Sequence, residues 1–184
     1  VNNEIGSIQD IEAIAKLCTK KNIPFHTDAV QSYKRIPINI KSIPLTAMTI
    51  SAHKIHGPKG IAALYLKKGT KAKPFCYGGG QEFGLRPGTE NLPAILGFAT
   101  AVTLPYSIKE REQKKQYLIK KLQEIQNITI NTPKESVDHI LNISIQGIDA
   151  ESLVKHLSHK GIYLSTGSAC TSNQINPSYV LKAL

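Results

Sequence analysis

The sequence predicts an α/β protein in two units that meet near Pro105. Three observations carry this. An amphipathic helical stripe is followed by three short apolar strands with short links. A strongly charged helical stretch then begins at Pro105. Beyond it comes a second alternation of strand, helix and strand.

In chain order, Ile11, Ile14, Ala15 and Cys18 fall at the i, i+3, i+4, i+7 positions of a helix face. Asp10 is placed to cap the N-terminus of this helix, and Asn22 ends it. Ile23-Pro-Phe-His-Thr27 reads as a strand running into Asp28. Leu45–Ser51 and Ile61–Leu66 read as buried strands. Lys67 to Arg86 is loop-rich, with Gly78-Gly-Gly80 at its centre. From Leu92 to about Gln126 the pattern is helical, broken at Pro105. Leu92, Ile95, Leu96, Ala99 and Val102 mark its expected buried face. The second unit shows strand His139–Ile145, helix Ala150–Lys160 behind the N-cap Asp149, and strand Ile162–Ser165. There is no internal repeat and no low-complexity segment.

The 184 residues are 41% apolar and 6% aromatic, which suits a globular protein with a real core. No apolar run approaches the ~20 residues of a membrane span, and no signal peptide opens the chain. The cytoplasm is the default expectation. The chain starts at Val1, and Pro177–Leu184 is still apolar with no stop signal after it, so the sequence is expected to be a piece of a longer protein. The net charge of +10 reads as a solvated basic surface rather than a nucleic-acid footprint. Much of it lies in Lys109–Lys121, where Glu110 and Glu112 are interspersed and no aromatic stacking platform accompanies the lysine pairs. The three cysteines, Cys18, Cys76 and Cys170, form neither CxxC nor a Cys/His metal spacing, so neither a disulfide framework nor a metal site is expected. Cys18 reads as core, and Cys76, before a glycine run, reads either way.

The strongest chemical signal is Ser51-Ala-His-Lys54-Ile-His-Gly-Pro-Lys-Gly60. Most lysines are solvated surface charges. One held just past a buried strand and before a Gly-Pro loop is partly desolvated, which favours a nucleophilic amine able to condense with an aldehyde cofactor. The alternative is a structural lysine near a turn. Upstream lies His26-Thr-Asp28-Ala-Val-Gln31. An acid at a strand end is what a protonated pyridine nitrogen needs in pyridoxal-phosphate chemistry, although a helix N-cap is the plainer use of such an Asp. Cys170 sits among Ser165, Thr166, Gly167, Ser168, Ala169, Thr171, Ser172 and Asn173. Small polar surroundings suit a cysteine that moves and reacts rather than one fixed in a core.

Taken together, these segments resemble a known family. Asn2-Asn-Glu-Ile-Gly6, His26-Thr-Asp28-Ala-Val-Gln31, Ser51–Gly60, Gly78-Gly-Gly-Gln-Glu82 with Arg86-Pro-Gly-Thr-Glu-Asn91, and Ser165-Thr-Gly-Ser-Ala-Cys170-Thr-Ser172 follow in order. The order resembles the NifS/IscS class of cysteine desulfurases, within the fold-type I enzymes that use pyridoxal 5'-phosphate. The resemblance implies that residues 1–104 are the C-terminal part of the cofactor-binding large domain and 105–184 most of a small C-terminal α/β domain. It implies cofactor roles for Lys54 (covalent attachment), Asp28 (ring nitrogen), Gln31 (phenolic oxygen), Ser51 and His53 (phosphate), and Asn3 (ring and substrate carboxylate). Thr89 would reach the phosphate of a neighbouring subunit's cofactor, which implies a homodimer. Cys170 would carry sulfur from L-cysteine as a persulfide to an iron–sulfur scaffold or a tRNA-thiolation relay protein, touching an iron–sulfur cluster at most transiently. His26 and His56 receive no role and read as structural. Asn2 stands in for Asn3 if the register is off by one. An N-terminal half and an extreme C-terminal segment are expected to complete the site. Three other readings stay open: a selenocysteine lyase, a catalytically incomplete fragment or interaction module, and a basic nucleic-acid binder.

Overall fold

The computed structural model describes residues 1–167 and 178–184, and Cys170 therefore lies outside the described residues. The chain divides into two compact units, one of residues 10–106 and one of residues 1–9 with 107–184.

In the unit of residues 10–106, helix α1 (Ile11–Lys20) opens on Asp10, whose carboxylate accepts the Ala13 N–H as the sequence predicts. It closes on Asn22 at φ 54°, with the Ile23 N–H donating to the Cys18 carbonyl at 2.8 Å. This is the left-handed cap in which the chain turns back over the last carbonyls. The cap explains a shift in the strand that follows. Ile23 is spent on the helix end and Pro24 has no N–H, so strand β1 is His26–Asp28 instead of Ile23–Thr27. Strand β2 (Ala47–Ser51) pairs parallel with β1, Asp28 opposite Thr49, and strand β3 (Ala62–Leu66) pairs antiparallel with β2. The order β1-β2-β3 leaves β2 central.

One face of β2 meets α1. Ala15, Ala29, Ile43, Leu45 and Met48 form a buried cluster there, and burying Leu45 and Met48 contributes about 2 kcal/mol each. The other cluster joins Ala52 and Ile55 to Phe98 and Ala101 of helix α2 (Leu92–Thr103). This reverses the expected face of α2. Leu92 and Leu96 are 64% and 67% exposed, while Phe98 and Ala101 are 8% and 2%. The helix is apolar nearly all round, so its periodicity cannot say which side is used.

In the other unit, helix α3 (Ile108–Gln123) starts at the N-cap Ser107, so the helical run does break around Pro105. Its buried residue is Lys115, whose Nζ donates to Ser136 Oγ at 2.7 Å and to the Val137 carbonyl at 2.6 Å. Burial pushes this amine below the ordinary lysine value, against the opposing pull of Glu112 and Asp138. The Val137 N–H in turn donates to Gly6, and Ser7 bridges Ser136, which ties the first residues of the chain to this unit. Strands β4 (Ile128–Ile130) and β5 (Ile143–Ile145) pair antiparallel, Ile128 opposite Ile145. The sequence reading missed β4 and extended β5 back to His139.

Helix α4 (Ala150–Ser158) is capped by Asp149, as expected. The expected strand Ile162–Ser165 does not form. Gly161 adopts φ 76° and the Ile162 N–H returns to the Leu157 carbonyl, so the run begins as a helix cap. Its Ile162, Tyr163 and Leu164 are exposed, and no strand pairs with it among the described residues. The short helix α5 (Tyr179–Lys182) is capped by Ser178, which also donates to Glu4. Among the described residues, no single helix is long and apolar enough to cross a membrane.

Candidate cofactor site

The parallel pairing of β1 and β2 sends their carboxyl ends to one edge of the sheet, the edge at which open α/β sheets place ligands. Asp28 ends β1 and Ser51 ends β2. Both strands are short, and what fixes them is mutual. The Ala29 N–H donates to the Thr49 carbonyl at 2.8 Å, and His26 Nε2 meets Thr49 Oγ1 at 2.8 Å. His26 thus serves the sheet, in line with the sequence reading.

Asp28 is exposed, and its Oδ1 accepts the Val30 N–H at 2.8 Å. That local bond orients the carboxylate and starts the turn on which Gln31 sits, half-buried. On β2, Ser51 is 9% exposed and its Oγ lies 2.6 Å from His53 Nδ1. His53 itself is exposed. Lys54 follows, half-buried, within a single 3-10 turn, Ala52–Ile55. The turn stops at His56, which takes the left-handed φ of 69°, while the Gly57 N–H donates to the Ala52 carbonyl at 2.9 Å. The Lys54 carbonyl accepts from Arg35 Nη2 at 2.8 Å, and the Arg35 guanidinium lies over the Tyr106 ring, 4.0 Å from its centroid.

Helix α2 is laid directly against this turn by two glycines. A Cβ on Gly57 would come within 3.2 Å of the Ala101 Cβ of α2, and one on Gly97 of α2 within 2.6 Å of Pro58 Cγ. Pro58 is a rigid ring, so Gly97→Ala must push α2 away from the turn that carries Lys54. The expected cost is about 1–3 kcal/mol, read as a fall in the thermal midpoint. An unchanged midpoint would show that the contact is not tight.

Five of the expected site residues therefore gather on or just past the ends of two neighbouring strands: Asp28, Gln31, Ser51, His53 and Lys54. Thr89 belongs to the same unit, exposed in the loop before α2, and no contact among the described residues links it to these five. Asn3 belongs to the other unit. The alternative Asn2 is committed to its own turn, where Oδ1 accepts the Glu4 and Ile5 N–H groups at 2.8 and 3.0 Å. Arg35 escaped the sequence reading, because nothing in the local pattern separates a buried arginine in a turn from a solvated one.

The donor set fits pyridoxal 5'-phosphate. It offers one amine for the aldehyde, one carboxylate for the ring nitrogen, one amide for the phenolic oxygen, and a hydroxyl and an imidazole for the phosphate. Among the described residues no group of His, Cys, Asp or Glu side chains is arranged to hold a metal ion.

The chain is similar to known proteins along its whole length. The cysteine desulfurase IscS of Dictyoglomus turgidum is 39% identical over 190 residues, which is 100% of this chain and 48% of that protein. The chain thus spans about half the length of the relatives it matches. The crystal structure of a NifS-like protein from Rickettsia africae superposes with a TM-score of 0.85 at 36% identity, covering 97% of this chain and 51% of that one. A solved structure of SspA in complex with cysteine has a TM-score of 0.81 at 33% identity, covering 100% of this chain and 52% of that one. The sequence pattern of the class-V aminotransferases matches residues 1–184, from the first residue to the last, and the chain belongs to that family.

Proposed function

We propose that the protein carrying this chain is a cysteine desulfurase and that the chain supplies its cofactor-binding lysine and its sulfur-accepting cysteine. The observation that carries this reading is the placement of Lys54 and Asp28 at the carboxyl ends of two parallel, directly paired strands. Class-V aminotransferases and the IscS and NifS relatives depend on pyridoxal 5'-phosphate. When bound, that cofactor draws electron density away from the α-carbon of an amino acid joined to it.

The residues of this chain do the rest. Asp28 holds a proton at the ring nitrogen. Gln31 donates to the phenolic oxygen, and Ser51 and His53 to the phosphate. The Lys54 amine removes and returns a proton at the α-carbon. Asn3 borders the ring and the substrate carboxylate. The Cys170 thiolate attacks the substrate sulfur. The carbon–sulfur bond breaks, a sulfur–sulfur bond forms, and L-cysteine plus the Cys170 thiol becomes L-alanine plus a persulfide on Cys170. The two electrons lost by sulfur are gained by carbon, so no outside oxidant is needed. The persulfide passes to an iron–sulfur scaffold or to a sulfur-relay protein. Thr89 completes the phosphate site of a second copy, making the enzyme a homodimer.

The test uses the protein expressed from its complete reading frame. With pyridoxal 5'-phosphate it should develop a visible absorbance band. With L-cysteine and a reductant it should release alanine and sulfide in equal amounts. Absence of the band would mark a catalytically incomplete protein. Turnover of L-selenocysteine without turnover of L-cysteine would replace the desulfurase by a selenocysteine lyase.

A further inference from the structure

We propose that Arg35, backed by Tyr106, is a positioning residue for Lys54, fixing the direction in which the lysine side chain leaves its turn. The inference rests on the reading of Lys54 as the cofactor-binding amine.

Lys54 stands on little structure of its own. Its turn is four residues long, and short 3-10 segments have poor hydrogen-bond geometry. Within it, the His56 and Gly57 N–H groups both return to the Ala52 carbonyl. The Lys54 carbonyl belongs to the set that a helix end leaves without a partner inside the helix. Arg35 supplies the partner, with Nη2 at 2.8 Å. This contact sets the plane of the peptide that follows Lys54, and with it the orientation of the Lys54 backbone from which the side chain departs.

Arg35 is itself held firmly. It is 8% exposed, and its guanidinium carbon lies over the Tyr106 ring, 4.0 Å from the centroid. A planar, permanently charged group can use its edge on a carbonyl and its face on a ring at once, which an ammonium cannot. The backbone of Arg35 is fixed as well, through its N–H to the Ser32 carbonyl at 2.9 Å, in the turn that begins at Ala29 directly after Asp28. The neighbouring Lys34 reaches the end of α2, where its Nζ donates to the carbonyls of Ala101, Val102 and Leu104. Two consecutive side chains therefore brace the segment after Asp28 against both the Lys54 turn and the helix packed on it. The carboxylate and the amine, which must address opposite ends of one small ring system, are thereby held in one frame.

Small errors in such a frame are expensive, since a displacement of about 1 Å can cost on the order of 100-fold in rate. The experiment compares Arg35→Met, Arg35→Lys and Tyr106→Leu with the parent protein, each expressed from the complete reading frame and loaded with pyridoxal 5'-phosphate. Borohydride reduction followed by peptide mapping reads the fraction of cofactor joined to Lys54, independently of turnover. Arg35→Met fills the same volume but cannot donate, and should lower that fraction several-fold. It should also lower kcat about 10-fold with KM for cysteine within about 2-fold. Arg35→Lys, which keeps a donor but cannot also use the ring, should recover part of the labelling. Tyr106→Leu keeps Arg35 but removes the ring behind it, and should show an intermediate loss, which keeps the proposal testable if Arg35→Met fails to fold. Parental labelling of Lys54 in Arg35→Met or in Tyr106→Leu would overturn the proposal. Failure of the parent protein itself to take up cofactor would instead remove the proposed function on which it rests.

Discussion

Lys54→Ala is expected to replace the visible band of the lysine-bound cofactor with the absorbance of the free aldehyde and to lower alanine formation by more than about 1000-fold, the combined loss of a covalent anchor and of a general base. The fold around the site gives little reason for any other defect. Lys54 is half-buried, and its structural duty is carried by its backbone carbonyl, which Arg35 still reaches in the variant. The apolar residues of the same turn, Ala52 and Ile55, keep their packing against Phe98 and Ala101. The thermal midpoint should therefore stay close to that of the parent. With Ser51 and His53 left in the phosphate-binding roles proposed for them, the variant should still bind the cofactor, with the absorbance of the free aldehyde and at lower affinity. A small amine added in excess should restore part of the activity, because the missing group is a nucleophile and not a piece of scaffold. Retention of the parental band in Lys54→Ala would show that another lysine carries the cofactor and would sink the assignment.

The part of the site that the sequence makes legible is the part built from short segments. Strand β2 is a compact apolar run, and the Gly-Pro loop after it forces a turn, so Ser51, His53 and Lys54 can be placed at a strand end without tertiary information. Asp28 could be placed in the same way, although its neighbour could not, because the parallel pairing of β1 with β2 is a long-range choice. Where the sequence misleads, a competing local or tertiary demand explains it. Ile23 is drawn into the cap of α1, which shortens β1 from its start. Gly161 draws Ile162 into the cap of α4 in the same manner, and the expected strand there is lost. Helix α2 is apolar on both sides, and only contact with the Lys54 turn decides that Phe98 and Ala101 face inward. Arg35 is invisible for a related reason: its role depends on a carbonyl and a ring brought to it from elsewhere in the chain. Asn3, Thr89 and Cys170 rest on resemblance to the family: Asn3 belongs to the other unit, no described contact joins Thr89 to the strand ends, and Cys170 lies outside the described residues.

Cys170→Ser should separate the two chemical centres. The variant is expected to keep the full visible band and parental cofactor affinity, because Lys54, Asp28, Ser51 and His53 are untouched. It should still bind cysteine, seen as a change in that band when cysteine is added. Alanine and sulfide formation should fall by more than about 100-fold, since a hydroxyl is not ionised near neutral pH and lacks the nucleophilicity of a thiolate toward sulfur. The sequence around Cys170, Ser165 to Ala169 before it and Thr171 to Asn173 after it, is made of small or polar residues; of these Ser165 and Thr166 are exposed, and the Ser165 hydroxyl donates to the Gly167 carbonyl at 3.0 Å. A serine there exchanges one sulfur atom for oxygen in a side chain of nearly the same size, so loss of turnover reports chemistry. The control is Cys76, which is exposed and carries a free thiol in the glycine-rich loop. Cys76→Ser should leave turnover at the parental level. The reverse pattern, turnover kept in Cys170→Ser and lost in Cys76→Ser, would move the sulfur carrier to the large glycine loop and leave Lys54 as the one assigned centre of the two.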